Sequence, residues 1–171
     1  ALAVAVPAPG GQLKAGAAAR KITPDLSGAP VYMAGFDNGR AATGVHDDLW
    51  ARCMAISTGA KPVAICAVDV IGLFYDDVVK VRAAVPEAQV IVASTHVHEG
   101  PDTMGQWGAR PGVSGINEAY NGRVVAETAA AVLAAIAAMK PAAAVAAKVL
   151  PADVDGYYDD SRPPFVHDPE I

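Results

Sequence analysis

Seven consecutive residues, Gln89-Val90-Ile91-Val92-Ala93-Ser94-Thr95, constrain the fold more than any other stretch of the chain. A continuous β-branched run without polar alternation predicts a strand buried on both faces. Helical spacing flanks it. Asp76 and Asp77 offer an N-cap, and Val78, Val79, Arg82 and Val85 follow at the right intervals, so the spacing predicts a helix over 76–85 that ends at Pro86. After a glycine-rich loop from Gly100 to Gly115, a second helix is predicted over Asn117 to Met139. Tyr120, Val124, Val125, Thr128, Val132, Leu133, Ile136 and Met139 make its apolar stripe, Arg123 and Glu127 lie four apart, and Pro141 stops it. The alanines between 129 and 138 permit close approach to a sheet.

Further strands are predicted at Lys14–Thr23, at Leu49–Ser57, at Val63–Val70 and at Ala142–Leu150, and Val31–Phe36 is a short apolar run that ends at Gly35-Phe36. The loop Thr58-Gly59-Ala60-Lys61 joins two of them as a β-hairpin. Strands alternating with helices, plus one hairpin, define an α/β class: a mixed β-sheet with flanking helices. A four-residue loop makes paired positions sum to 119, which sets Cys53 opposite Cys66. The pair reads as two small buried thiols, the expectation adopted, or as a cross-strand disulfide. No CxxC spacing is present, so a cysteine zinc site is excluded.

Composition narrows the partners. Eighteen acidic against thirteen basic residues give a net charge of −5, and no basic cluster occurs, which argues against nucleic acid. The alanine-rich stretch from Thr128 to Met139 is too short and too closely flanked by charge for a transmembrane segment. Residues 1–16 are expected to form a flexible N-terminal arm ahead of a domain over 17–171. Ala1–Ala8, apolar and followed by Pro-Gly-Gly, reads as signal-peptide remnant or as a cloned or proteolytic start; the former implies a secreted or periplasmic protein. Tyr157–Ile171 is rich in Asp and Pro and reads as a loop with no closing element, so a second polypeptide or segment is expected to complete the fold.

The chemistry concentrates at Ser94-Thr95-His96-Val97-His98-Glu99-Gly100-Pro101-Asp102-Thr103, directly after the buried run. Loops at the ends of such strands are where α/β sheets build their sites. In extended backbone, residues two apart project to one side, so His96 and His98 are expected to point together with Glu99 beside them and Asp102 a turn away. Neutral imidazoles are preferred zinc ligands, and an HxH pair can share an ion or divide into a ligand and an acid/base. Surface or capping roles are the alternative for both.

Thr-His-Val-His-Glu-Gly-Pro-Asp resembles the Thr-His-Thr-His-Ser-Gly-Pro-Gly segment of the neutral/alkaline non-lysosomal ceramidase family. Other pieces follow in the same order. Ala18-Ala19-Arg20-Lys21-Ile22-Thr23-Pro24 resembles the family's opening strand, and Met33-Ala34-Gly35-Phe36 its Met-x-Gly-Tyr. Gly44-Val45-His46 with Leu49-Trp50-Ala51-Arg52 resembles Gly-Ile-His and Trp/Tyr-Ala-Arg, and Val68-Asp69-Val70-Ile71-Gly72 its Asp-Leu/Ile-Gly. Asp160-Ser161-Arg162-Pro163 falls at an Asn-Arg-Ser-like turn.

The resemblance implies the N-terminal half of a larger catalytic domain and a zinc-dependent (Zn2+) hydrolase of an N-acyl amide bond. In such enzymes a metal-bound water attacks the amide carbonyl. It implies that His96 is a zinc ligand, that His98 lies beside the metal and substrate, and that Arg162 faces the active site. The family's remaining ligands, a histidine, a glutamate and a tyrosine, come later in the chain. They are therefore expected from a second polypeptide, the other product of a processed precursor held as a heterodimer, or from a C-terminal segment. Glu99 stands where the family has Ser, and Asp102-Thr103 replaces a Gly-rich continuation, which points to amides or esters other than ceramide. His46, Asp69, Glu99 and Asp102 are candidates to support the metal site by orienting a ligand histidine, against an N-cap or loop role for His46 and an Arg52 ion pair for Asp69. Trp50, Trp107 and Tyr120 line a groove or pack the core, and Asp153, Asp155, Asp159 and Asp160 form a solvated turn rather than a calcium loop. Rival readings are a non-catalytic ceramidase-like binding module and a metal-dependent esterase or lactonase.

Overall fold

The computed structural model describes residues 11–143. Seven elements follow in order: β1 (Lys14–Lys21), β2 (Trp50–Ser57), β3 (Val63–Val68), α1 (Tyr75–Ala84), β4 (Gln89–Ser94), α2 (Glu118–Ala137) and β5 (Lys140–Pro141). They form one sheet of order β4-β3-β2-β1-β5, antiparallel throughout except for the parallel β3–β4 pair that α1 connects. The mixed α/β class read from the sequence is the one observed. Residues 14–16, assigned to the flexible arm as well as to the first strand, belong to β1. The Val31–Phe36 run forms only two isolated bridges, Tyr32 with Ala41 and Met33 with Pro101. The predicted Ala142–Leu150 strand lies outside the described residues beyond 143, as do Arg162, the four later aspartates and the terminal loop.

Both helices pack on one face of the sheet. Ala51, Cys53 and Ala55 of β2, Ala64, Cys66 and Val68 of β3, and Val90 of β4 alternate inward, as the two-residue period requires. They meet Val124, Thr128, Ala131, Val132 and Ala135 of α2 in one core. Close approach is real at Gly16, where a Cβ would stand 2.2 Å from the Ala135 carbonyl oxygen. Leu133, placed in the α2 stripe by its spacing, instead faces outward, while Ala131, Val132 and Ala135 take the contact with the core. Asn117 caps α2, its side-chain oxygen accepting from Tyr120 N at 3.0 Å. Arg123 does not pair with Glu127; it donates to the carbonyls of Thr23 at 2.9 Å and Lys21 at 3.3 Å, tying α2 to the end of β1. The N-cap of α1 is Phe74, without a side-chain bond, and Asp76 and Asp77 sit in its first turn, where carboxylates favour the positive end of the helix dipole.

Two expectations are corrected. β4 is not buried on both faces: it is the last strand of the order, and Ile91 is 50% exposed. Ala17, Met54, Ile65 and Ile91 form a cross-strand row on the face opposite the helices. The hydrophobic run reports strand character, whereas double burial depends on what lies on the second face. The thiol reading also fails. The predicted register holds, Cys53 pairs with Cys66, and the two are joined in a disulfide. A directly opposed pair brings the Cα atoms to 4.1 Å, close to the spacing of a non-hydrogen-bonded antiparallel pair. Closing a loop of this size is worth about 3 kcal/mol in the chain-entropy account.

Candidate active site

The site forms where β3 and β4, parallel neighbours, both end. Thr95 N donates to Val68 O at 2.9 Å and His96 N to Val70 O at 3.1 Å, extending the pairing just past both strands. There the extended backbone stops. His96 has φ 59°, in the left-handed region, so the simple alternation expected for an HxH pair does not apply. The two rings nevertheless meet edge to face, with centroids 4.9 Å apart and planes at 85°. The turn at His96, not strand geometry, brings them together.

The two rings are held differently. His96 Nδ1 lies 2.8 Å from the Ile71 carbonyl oxygen, which can only accept, so this nitrogen carries a proton and the neutral ring offers its lone pair at Nε2. A backbone carbonyl fixing tautomer and ring plane is a common support for a metal-binding histidine. His98 Nδ1 is buried with no hydrogen-bond partner among the described residues. It lies against Gly35, whose φ is +84° and whose hypothetical Cβ would stand 1.8 Å from that nitrogen. Phe36 closes the other flank of the ring at 4.9 Å. Neither Gly35, Phe36 nor the Ile71 carbonyl emerges from sequence spacing, although the Met33-Ala34-Gly35-Phe36 motif contains the first two.

The candidate carboxylates are employed elsewhere. Glu99 accepts from Arg40 Nη2 at 3.0 Å. Asp69 accepts from Trp50 N at 2.9 Å, Arg52 Nη1 at 2.6 Å and Thr95 Oγ1 at 3.2 Å, so the ion-pair alternative is the observed one and the carbonyl of Ile71 takes the place proposed for it on His96. Asp102 is 1% exposed and accepts four backbone N–H groups, from Met104, Gly105, Trp107 and Gly115, at 2.7–3.1 Å. It organises the glycine-rich loop. His46 is 98% exposed and pairs with its neighbour Asp47 at 2.7 Å. Tyr120 packs in the core, where burial pushes its hydroxyl pKa up.

A cleft of about 420 Å³ is lined by apolar residues including Leu26, Val31, Met33, Leu49 and Val97, with His46 and Glu99 also contributing. His96 and His98 are not among its walls. Among the described residues, no three His, Cys, Asp or Glu side chains cluster so as to hold a metal ion. The donor chemistry fits zinc: an imidazole oriented through Nδ1, with its lone pair at Nε2, and a second imidazole in contact with it. No described helix is long and apolar enough to cross a membrane.

Neither a protein-family model nor a curated protein matches the chain. Solved structures do. The neutral ceramidase of Pseudomonas aeruginosa superposes with a TM-score of 0.64 at 23% identity, covering 76% of this chain and 22% of that one. A ceramidase solved as a complex with C2 gives a TM-score of 0.63 at 24% identity over the same shares. The chain thus has the fold of one part of these ceramidases and spans about a fifth of their length. The resemblance read from the motifs is borne out at the level of fold.

Proposed function

We propose that this chain contributes the HxH part of the active site of a zinc-dependent, ceramidase-like hydrolase that cleaves an N-acyl amide bond. The observation that carries the reading is the His96–His98 pair at the shared ends of β3 and β4, with His96 Nδ1 committed to Ile71, which leaves the Nε2 lone pair as the ring's donor to a metal. His96 would hold the ion. Zinc bound there would supply Lewis acidity and a lowered water pKa. His98, in contact with the His96 ring, would bind the substrate carbonyl or pass a proton to the departing amine. Arg162, outside the described residues, is assigned to face the substrate by the motif resemblance.

Catalytic zinc takes three protein ligands in most sites, so further donors come from outside residues 11–143, from another segment or a second polypeptide. The Cys53–Cys66 disulfide supports an oxidising location, periplasmic or extracellular. The test is hydrolysis of a panel of N-acyl amides by the complete protein. A chelator is expected to abolish turnover and added zinc to restore it. Turnover that survives chelation overturns the reading.

A further inference from the structure

We propose that Arg40 is a positioning residue for the histidine pair, pinning the Gly35–Phe36 turn against the His98 ring with Glu99 as its counter-charge. The assignment of a catalytic consequence rests on the hydrolase reading above; the pinning itself does not. Among the described residues, the non-glycine positions with positive φ are Phe36 (60°) and His96 (59°), and both side chains touch the His98 ring. Left-handed backbone at a bulky residue persists only where its surroundings enforce it. Burial does not enforce it at Phe36, whose side chain is 79% exposed.

Arg40 does. Its Nη1 donates to Gly35 O at 3.1 Å and lies 3.5 Å from Ala34 O, while the guanidinium sits 5.2 Å from the Phe36 ring centroid. Its Nη2 reaches across to Glu99 Oε1 at 3.0 Å. The base of this brace is fixed by Met33 N donating to Arg40 O at 2.8 Å, and the turn is tied to the opposite wall by Ala34 N donating to Gly100 O at 2.9 Å. One planar fork thus bonds both walls of the slot that holds His98. It also compensates the Glu99 carboxylate, which is how an acidic residue is tolerated beside the second histidine.

An ordinary surface ion pair would accept lysine; a fork bonding two carbonyls and a carboxylate would not. The experiment is NMR of the isotopically labelled full chain, reading nuclear Overhauser cross-peaks between the Phe36 and His98 rings, with thermal midpoints measured in parallel. Arg40→Lys and Arg40→Gln are both expected to lose the cross-peaks while keeping the wild-type midpoint. Glu99→Gln is expected to keep them, because its amide oxygen still accepts. In turnover, a ring displaced by an ångström predicts kcat lower by about a hundredfold with KM little changed. Cross-peaks that survive in Arg40→Lys, or that vanish only together with a fall in midpoint, overturn the proposal. A wild-type protein without hydrolase activity whose cross-peaks still depend on Arg40 overturns the hydrolase reading and supports the positioning role.

Discussion

Asp102→Ala is expected to destabilise the fold by about 3–5 kcal/mol, more than any other single change outside the apolar core. The carboxylate accepts from Met104 and Gly105 at one oxygen and from Trp107 and Gly115 at the other, and it is 1% exposed. Removing it strands four backbone donors, each costing about 1–3 kcal/mol if left unpaired, with water entering the vacated space to recover part of that. Asp102→Asn is expected to be nearly as damaging, since the amide turns one accepting oxygen into a donor facing two N–H groups. Denaturant midpoints measure the loss, and Trp107 fluorescence reports whether the loop itself opens. A cost below about 1 kcal/mol, the net worth of a single ordinary hydrogen bond, would remove Asp102 from its organising role.

Gly35→Ala is expected to lower turnover as far as His98→Ala does, by about a hundredfold to ten-thousandfold, the range for removing a general acid–base group. Two penalties coincide at this glycine: φ is +84°, and a methyl group would stand 1.8 Å from His98 Nδ1, so the ring must leave. Gly112→Ala separates them. It has φ +77° and open space around the added carbon, so it carries the backbone strain without the collision. Gly112→Ala should lose about 1 kcal/mol from the left-handed conformation and Gly35→Ala should lose more, because the collision adds to the strain, while only Gly35→Ala loses turnover. Equal activity in the two glycine variants would show that His98 is not held by this contact.

Local chemistry explains which features were readable in advance. The β2–β3 register followed from a four-residue loop, because the pairing of an antiparallel hairpin is set by its turn, and Cys53 duly opposes Cys66. The α2 span followed from its stripe and from the stop at Pro141. Features that depend on the third dimension were not readable. The β4 run is equally apolar whether its outer face is covered or open, and only the sheet order reveals Ile91 as exposed. His96 and His98 were correctly read as neighbours, but for the wrong reason: a single left-handed residue, not strand alternation, joins them. The carboxylates near the motif are indistinguishable by sequence distance. Their partners differ: Arg40 for Glu99, Arg52 for Asp69, and a loop's amides for Asp102. Arg40 lies 59 positions from Glu99, too far for any local pattern to link them.

The proposed chemistry requires that His96 hold a zinc ion. Metal content of the complete protein, measured by atomic emission after exhaustive dialysis against zinc-free buffer, tests it most directly. Stoichiometric zinc is expected in the wild type, with loss in His96→Ala and retention in His46→Ala, whose ring is solvent-exposed and paired with Asp47. A wild type without zinc, or His96→Ala carrying as much zinc as the wild type, would contradict it.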